Sequence, residues 1–220
     1  MTPATLPDLD GRPASAILAW AMAEYSPGLA VACSMQDAVV VDLAVRLDPS
    51  VPVFFLDTRY HFAETYRTAA RLQRRYNLNL VRLEPDGDAP VFDRDGCDAC
   101  CAARKVAPMA RYLAGRSAWV SGLRRAESPS RAGARAVEWD DRHGLVKVNP
   151  LVAWSDAAVA RYVVEHDLVV NPLLARGYGS VGCAPCTRPG RGREGRWAGT
   201  AKTECGLHAV GPDSPPVRSV

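Results

Sequence analysis

The amino-acid sequence predicts an α/β fold in which a twisted parallel sheet carries helices on both faces. Short apolar segments of strand length recur between residues 29 and 123. Segments of helical length and composition separate them. Apolar runs of this kind are typical of strands buried on both faces, and their alternation with helices is typical of a doubly wound sheet.

The elements are predicted in a simple order. A helix precedes the first strand, and three further helices then alternate with three further strands. The predicted helices are 13–25, 36–47, 61–76 and 99–113. The predicted strands, which begin with LAVAC and PVFFL, are 29–33, 52–56, 78–83 and 118–123.

The second half of the chain has fewer regular elements. RAVEWDDRHGLVKVNPL predicts a β-hairpin that turns near 141–144, and Ser155 predicts the N-cap of a helix that ends near His166. From Asn171 onward the chain is rich in Gly, Pro and Arg, so we expect no regular structure there. We assign residues 1–180 to the α/β unit, and 181–220 to a loop and a flexible, irregular C-terminal tail of the same domain.

Composition limits the classes of protein to consider. A chain of 220 residues that is 48% hydrophobic can bury a single core. No apolar run reaches the roughly 18 residues that span a bilayer, and the N-terminus lacks a basic region followed by an apolar one. We therefore expect a cytoplasmic protein with no membrane partner. The net charge of +3 is too small to indicate a nucleic-acid partner.

Polar loops follow three of the predicted strands. They are SMQDA at 34–38, DTRYHF at 57–62 and GLRRAESPSR at 122–131. Ligands of open parallel sheets bind beyond the carboxyl ends of the strands, and the helix after SMQDA offers unpaired N–H groups to an anion. Basic residues are dense from 104 to 142 and from 188 to 196, which suits a compact anion; a solvated basic face is an open alternative.

Seven cysteines indicate metal or redox chemistry, because the cytosol keeps thiols reduced. Cys100 and Cys101 are adjacent, which disfavours a disulfide between them and joint ligation of one Zn²⁺. The separate corners of an iron–sulfur core relax that limit. With the Cys-x-x-Cys pair Cys183 and Cys186, four thiolates match a [4Fe–4S] cluster. Structural zinc in a nucleic-acid-binding module is the alternative from another class.

The remaining cysteines have different surroundings in the sequence. Cys33 ends an apolar strand and is expected to pack in the core. Cys97 is either a spare loop cysteine or a fifth thiol near the cluster. Cys205 lies in the polar segment AKTECGLHAV, where Lys202 and His208 favour a thiolate, so it is a candidate nucleophile; a bystander on the tail is the other interpretation.

Six motifs together resemble a known family. CCAARK, GLRRAESPSR, KVNPL, NPLLARGYGSVGCAPCTRP, REGRW and KTECGLH occur in this order. They closely resemble the assimilatory adenosine 5′-phosphosulfate (APS) reductases, the iron–sulfur branch of the phosphosulfate reductase family, from about Leu29 to His208. The resemblance implies an adenine nucleotide alpha hydrolase-like fold and the reduction of APS to sulfite and AMP.

The resemblance also implies roles for individual residues. Cys100, Cys101, Cys183 and Cys186 match the ligands of the [4Fe–4S] cluster. Cys205 matches the nucleophile, which forms an S-sulfocysteine that thioredoxin, or a glutaredoxin-like dithiol, resolves. Lys105 matches a lysine between cluster and substrate, and His208 is expected to assist Cys205 or to orient the tail. The other matching substrate contacts are Ser34, Gln36, Asp37, Leu56, Asp57, Thr58, Arg124, Arg125, Arg193 and Arg196.

Differences from related sequences help to decide between APS reductases and two alternatives, the ATP-using enzymes of the same fold and the PAPS reductases. The loop CSMQDA has no glycine to cradle a pyrophosphate, which argues against the ATP-using enzymes of the same fold. The nearest alternative is a reductase of 3′-phosphoadenosine 5′-phosphosulfate (PAPS), but such enzymes generally lack the four cluster cysteines. Arg59 stands where the family often has glycine and is expected to add a cation near the adenosine site. Glu127 lies in a replaced polar pair, for which we expect no effect.

Overall fold

The structure of the chain is a computed structural model that describes residues 6–200, 202 and 204–207. Six strands form one sheet; they are β1 Leu29–Ala32, β2 Val53–Leu56, β3 Leu80–Leu83, β4 Ala118–Val120, β5 Val137–Asp140 and β6 Leu145–Val148. Six α-helices accompany them: α1 Ala14–Tyr25, α2 Val39–Leu47, α3 Ala63–Tyr76, α4 Phe92–Cys101, α5 Ala107–Leu113 and α6 Asp156–Glu165. A π-helical turn, Ala102–Val106, joins α4 to α5.

The sheet confirms the predicted α/β class and has one antiparallel edge. The strand order is β3-β2-β1-β4-β6-β5, and neighbours pair in parallel except β5 with β6. The predicted hairpin is therefore present, and it extends the main sheet through β6. After β3 the chain returns to the other side of β1, so the direction of strand order reverses between β1 and β4. Ligands of open α/β sheets bind outside such a point.

Helices cover both faces of the sheet, as predicted. Successive residues of a strand point to opposite faces, so Val31 and Phe55 pack with α1, α2 and α3. Ala30 and Phe54 lie on the other face, where they pack with Trp119 and with α5. Buried apolar groups on both faces explain why the strands are continuous apolar runs.

Two helix boundaries differ from the prediction. The helix expected over 99–113 begins at Phe92 and is broken at Gly96, whose φ of 81° is readily adopted only without a Cβ. The helix expected from residue 36 begins at Val39, because Met35 has a φ of 61° and the Asp37 carboxylate accepts the Val39 N–H at 3.1 Å. The loop after β1 is thus longer than predicted.

The segment after α6 lacks long regular elements over its described part and crosses the carboxyl ends of the strands. Asp37 pairs with Val170, and His61 pairs with Cys183, each through an isolated bridge. The Gly-, Pro- and Arg-rich segment is thereby held beside the loops that follow β1 and β2. Within the described ranges, no helix is long and apolar enough to cross a membrane.

Candidate active site

A cavity of about 210 Å³ opens at the carboxyl ends of the central strands, next to the reversal of strand order. Its apolar lining includes Val40, Leu123, Leu151 and Val159. Its charged and thiol-bearing lining consists of Cys33, Asp37, Lys105, Arg124, Glu127, Arg131, Arg193, Arg196 and Cys205. The cavity therefore combines an apolar part with a cluster of cations, which suits a ligand that has an aromatic base and anionic groups.

The loop after β1 is fastened to the C-terminal segment. The Gln36 side-chain oxygen accepts the Val181 N–H at 2.9 Å, and the Gln36 carbonyl accepts the Asn171 N–H at 2.8 Å. Burial raises the pKa of Asp37, which caps α2 through the Val39 N–H. Asp37 therefore shapes the loop, while Ser34 and Gln36 line the cavity beside it.

Glu127 holds together the arginines on one side of the large cavity, here called the basic wall and made up of Arg124 and Arg131. The Glu127 carboxylate accepts the backbone N–H of Arg124 at 3.1 Å and also pairs with the Arg131 guanidinium. Glu127, which we expected to have no effect as part of the Ala126–Glu127 pair, thus contacts two arginines of the cavity lining. The Arg131 side chain is 6% exposed, so its charge is retained only with such partners.

The segment that carries Cys205 is clamped by arginines. Arg131 donates to the Glu204 carboxylate from Nε at 3.0 Å and from Nη2 at 3.2 Å, and Arg193 donates to it at 2.8 Å. Arg142 donates to the Gly206 carbonyl, and Leu207 packs against the apolar cluster of α5 and β4. Anchors on both sides place the partly exposed Cys205 in the cavity lining.

Lys105 lies between two cavities. It is 6% exposed and lines both the large cavity and a second, small one. Burial lowers the pKa of Lys105, but its electrostatic interaction with nearby cysteine sulfurs, chiefly those of Cys183 and Cys205, outweighs burial, so its pKa is raised overall. Lys105 therefore remains a cation in contact with both sites.

The second cavity brings together the four predicted cluster ligands. Cys100, Cys101, Cys183 and Cys186 line it and are 7%, 4%, 5% and 7% exposed. The Thr58 hydroxyl lies 3.2 Å from the Cys183 sulfur. Burial raises the pKa of Cys101 and of Cys186 to about 12, so both are protonated thiols near neutral pH.

The arrangement of the four sulfurs bears on the kind of metal group they fit. Among the residues described, no three His, Cys, Asp or Glu side chains converge closely enough to hold a metal ion. The four cysteine sulfurs nonetheless line one buried cavity, and thiolates are donors that suit zinc as well as iron–sulfur groups.

Comparison with known proteins identifies the family. Residues 27–189 match the model of the phosphoadenosine phosphosulfate reductase domain. The chain belongs to this family. A relative from Rhodococcus opacus, named adenosine 5′-phosphosulfate reductase, is 45% identical over 91% of this chain and 90% of its own length. A relative of the same name from Mycobacterium tuberculosis is 48% identical over 81% of this chain and 75% of its own.

Solved structures agree with the family assignment. The phosphoadenylyl-sulfate (PAPS) reductase from Candida auris, in a phosphate complex, is 25% identical, with a TM-score of 0.73 over 82% of this chain and 92% of its own. The FMN adenylyltransferase of Candida glabrata, solved with FMN and an ATP analogue, has a TM-score of 0.62 at 18% identity over 80% of this chain and 63% of its own. The latter likeness concerns the fold alone.

Most of the residues expected to contact substrate in this reductase family meet at the large cavity. They are Ser34, Gln36, Asp37, Leu56, Lys105, Arg124, Arg193 and Arg196, together with Cys205. Asp57 and Thr58 do not line it: Asp57 accepts the Tyr66 hydroxyl at 2.8 Å, and Thr58 lines the small cavity. His208 lies outside the described residues.

Two predicted cations point away from the cavity. Arg125 donates to the Ala134 carbonyl at 2.7 Å and to the Asp10 carboxylate at 2.5 Å, so it joins the wall to the N-terminal segment. Arg59 pairs with Glu84 at 2.7 Å, with its side chain 54% exposed. The expectation that Arg59 supplies charge near the adenosine site was wrong, because that pairing directs the side chain into solvent.

The sequence reasoning missed Arg131 and Glu204 as site residues. Arg131 is the last residue of the GLRRAESPSR motif, and Glu204 directly precedes Cys205 in the ECGLH motif. Their positions within these two motifs were the one feature of the sequence that could have indicated a role at the site. Their pairing depends on the tail folding back over the cavity, which no local pattern specifies.

The clamp on the Cys205 segment leads to a prediction about Glu204. Replacing it by glutamine removes the charge from three hydrogen bonds, each worth about 1.5–3 kcal/mol when charged. We expect Glu204→Gln to slow modification of Cys205 by substrate by about 10-fold or more. Alkylation of Cys205 by iodoacetamide should become faster, because the segment is no longer held.

The matched control for Glu204 is Glu194→Gln, which changes a solvent-exposed glutamate of the same C-terminal segment. It should leave both rates close to those of the unmodified protein. Equal alkylation rates for Glu204→Gln and the unmodified protein, measured by mass spectrometry of the Cys205 peptide, would show that the clamp does not hold the Cys205 segment in place.

Proposed function

We propose that this protein reduces APS to sulfite and AMP in assimilatory sulfate reduction, through a covalent intermediate on Cys205. The observation that carries the proposal is that Cys205, Lys105 and four arginines line one cavity, and that Lys105 also lines the cavity of the four cysteines. The named relatives from Rhodococcus opacus and Mycobacterium tuberculosis support APS as the substrate.

The first chemical step is a substitution at sulfur. The Cys205 thiolate attacks the sulfonyl sulfur of APS, the bond from that sulfur to the phosphate oxygen breaks, and AMP leaves with the electron pair. The product is an S-sulfocysteine. Attack of an anion on an anionic substrate is opposed by repulsion unless cations surround both, and Lys105, Arg193 and Arg196 supply that charge.

Arg196 is suited to binding the substrate anion. Its Nη1 donates to the Ser180 hydroxyl at 3.3 Å, and its guanidinium lies 4.5 Å from the centre of the Trp197 ring. Its Nε is buried and has no hydrogen-bond partner in the described part of the chain. A buried donor without a partner is costly, so a phosphate or sulfate oxygen that accepts from it gains a strong hydrogen bond.

The second step needs an external dithiol, for which we propose thioredoxin or a glutaredoxin-like protein. One donor thiolate attacks the Cys205 sulfur and releases sulfite, which leaves a mixed disulfide. The second donor thiol then attacks that disulfide and restores the Cys205 thiol. The donor is oxidised to a disulfide by two electrons, and sulfur is reduced from the sulfate to the sulfite level.

We also propose that Cys100, Cys101, Cys183 and Cys186 hold a [4Fe–4S] cluster. The fit rests on four buried cysteine sulfurs that line one cavity. Held by these four cysteines, two at the end of α4 and two in and just before the turn Ala184–Cys186, the cluster would link these two parts of the chain. All seven cysteines are free thiols, which supports a reducing compartment such as the cytoplasm.

Sulfite release from APS and from PAPS tests the proposed function. The assay uses the anaerobically purified protein with reduced thioredoxin. We expect release from APS to exceed release from PAPS by about 10²-fold or more in kcat/KM, since the relatives at 45% and 48% identity are named for APS. Faster release from PAPS, the substrate named for the Candida auris structure, would instead assign PAPS reduction.

A further inference from the structure

Cys97 is a fifth thiol at the site of the four cysteines. Its sulfur lies 3.9 Å from the sulfur of Cys101 and 3.8 Å from that of Cys186. It therefore contacts one member of each cysteine pair. The Cys183 sulfur has the Thr58 hydroxyl at 3.2 Å.

The local backbone explains this position. Gly96, with a φ of 81°, interrupts α4, so that Cys97 begins a new helical turn. Cys97 and Cys101 are four residues apart on that turn and share one face of the helix. The 3-10 turn Ala184–Cys186 brings Cys186 to the same place from the other side.

The surroundings of Cys97 keep it against the other sulfurs. Cys97 packs against a small buried cluster of Cys183, Cys186 and Trp197, together with Phe92. It is more exposed than Cys101 and Cys186, which are both buried. A thiol in this position can rotate toward the small cavity and remains accessible to solvent for proton exchange.

We propose that Cys97 is a reserve ligand of the cluster, able to take the iron corner that Cys101 or Cys186 otherwise holds. This inference rests on the proposed function only in requiring that the cluster is present. In the exchange, the Cys97 thiol releases its proton and bonds to iron, the displaced thiolate leaves that iron and takes up a proton, and no electrons are transferred.

The proposal makes a prediction that depends on position. Cys101→Ala and Cys186→Ala should each retain roughly half or more of the wild-type iron and acid-labile sulfide, because Cys97 reaches the vacated corner. The matched controls are Cys100→Ala and Cys183→Ala, which change the other member of each cysteine pair and should lose the cluster. The double variants Cys97→Ala/Cys101→Ala and Cys97→Ala/Cys186→Ala should lose it as well.

The experiment uses full-length protein purified without oxygen. The readouts are the iron and acid-labile sulfide per chain and the sulfur-to-iron charge-transfer absorbance of the cluster. Equal cluster loss in all four single ligand variants would overturn the proposal for Cys97. A wild-type protein without iron would instead overturn the cluster itself, so the two failures are distinct.

A second measurement covers the case in which the ligand variants do not fold. Iron release from the wild type and from Cys97→Ala to a chelator is compared, with all four ligands intact in both. We expect several-fold faster iron release from Cys97→Ala, because an iron atom that has lost its Cys101 or Cys186 ligand can no longer bind Cys97 instead. Identical release rates would contradict a reserve ligand.

Discussion

Replacing Cys205 by serine is expected to reduce sulfite release from APS to the background rate, a loss of about 10³-fold or more. A serine hydroxyl is not ionised near neutral pH, and a sulfate ester formed on its oxygen has no S–S bond for a dithiol to cleave. The fold and the iron content should be unchanged, because Cys205 is not among the residues that line the four-cysteine cavity. Sulfite is measured with thioredoxin as donor.

The matched control for Cys205 is Cys33→Ala, since Cys33 is the other cysteine in the lining of the large cavity. Cys33 is 6% exposed, and burial raises its pKa to about 12, so it is a poor nucleophile. Cys33→Ala should still acquire the sulfonate from APS. If the adduct is lost in Cys33→Ala and retained in Cys205→Ser, the two cysteines have been assigned the wrong roles.

Lys105→Ala is expected to slow formation of the S-sulfocysteine by about 10²-fold or more, because one preorganised cation is worth about 3 kcal/mol in a site shielded from water. The four cysteines remain, so iron and sulfide per chain should match those of the unmodified protein. The step is measured by single-turnover quench of enzyme with APS in the absence of a dithiol.

Arg111→Ala is the matched control for Lys105→Ala, because it also removes one positive charge but from an exposed position. Arg111 lies on α5, pairs with Asp86 and has a side chain that is 51% exposed, so its removal should change the rate little. Unchanged single-turnover kinetics in Lys105→Ala would show that this lysine does not stabilise the transition state. Loss of iron in the same variant would assign it to the cluster site alone.

The parts of the fold that local sequence patterns determine could be predicted from the sequence. Strands such as Val53–Leu56 are apolar on both faces, and this pattern alone indicates a sheet covered by helices. The attachment of the hairpin to that sheet was not predictable, because it depends on the pairing of β6 with β4, two strands separated by a long loop. The break at Gly96 was missed because an isolated glycine in a helical pattern is often tolerated.

The candidate site was predictable only in part. Motif resemblance located the loops and the four cysteines that line the small cavity. It did not separate Arg124, which lines the large cavity, from Arg125, which pairs with Asp10. Neighbouring residues on a loop point in directions that tertiary contacts decide. The clamp of Arg131 and Arg193 on Glu204 was missed for a related reason, since it joins residues that are distant in sequence.

The most direct measurement of the central claim is the location of the sulfonate after one turnover. The unmodified protein is mixed anaerobically with APS carrying labelled sulfur, without any dithiol, and is then digested and mapped by mass spectrometry. Attack by Cys205 predicts one SO3 group per chain on the peptide that contains Cys205, released as sulfite when thioredoxin is added. Label on any other cysteine, or labelled sulfite released with no enzyme-bound adduct, would contradict it.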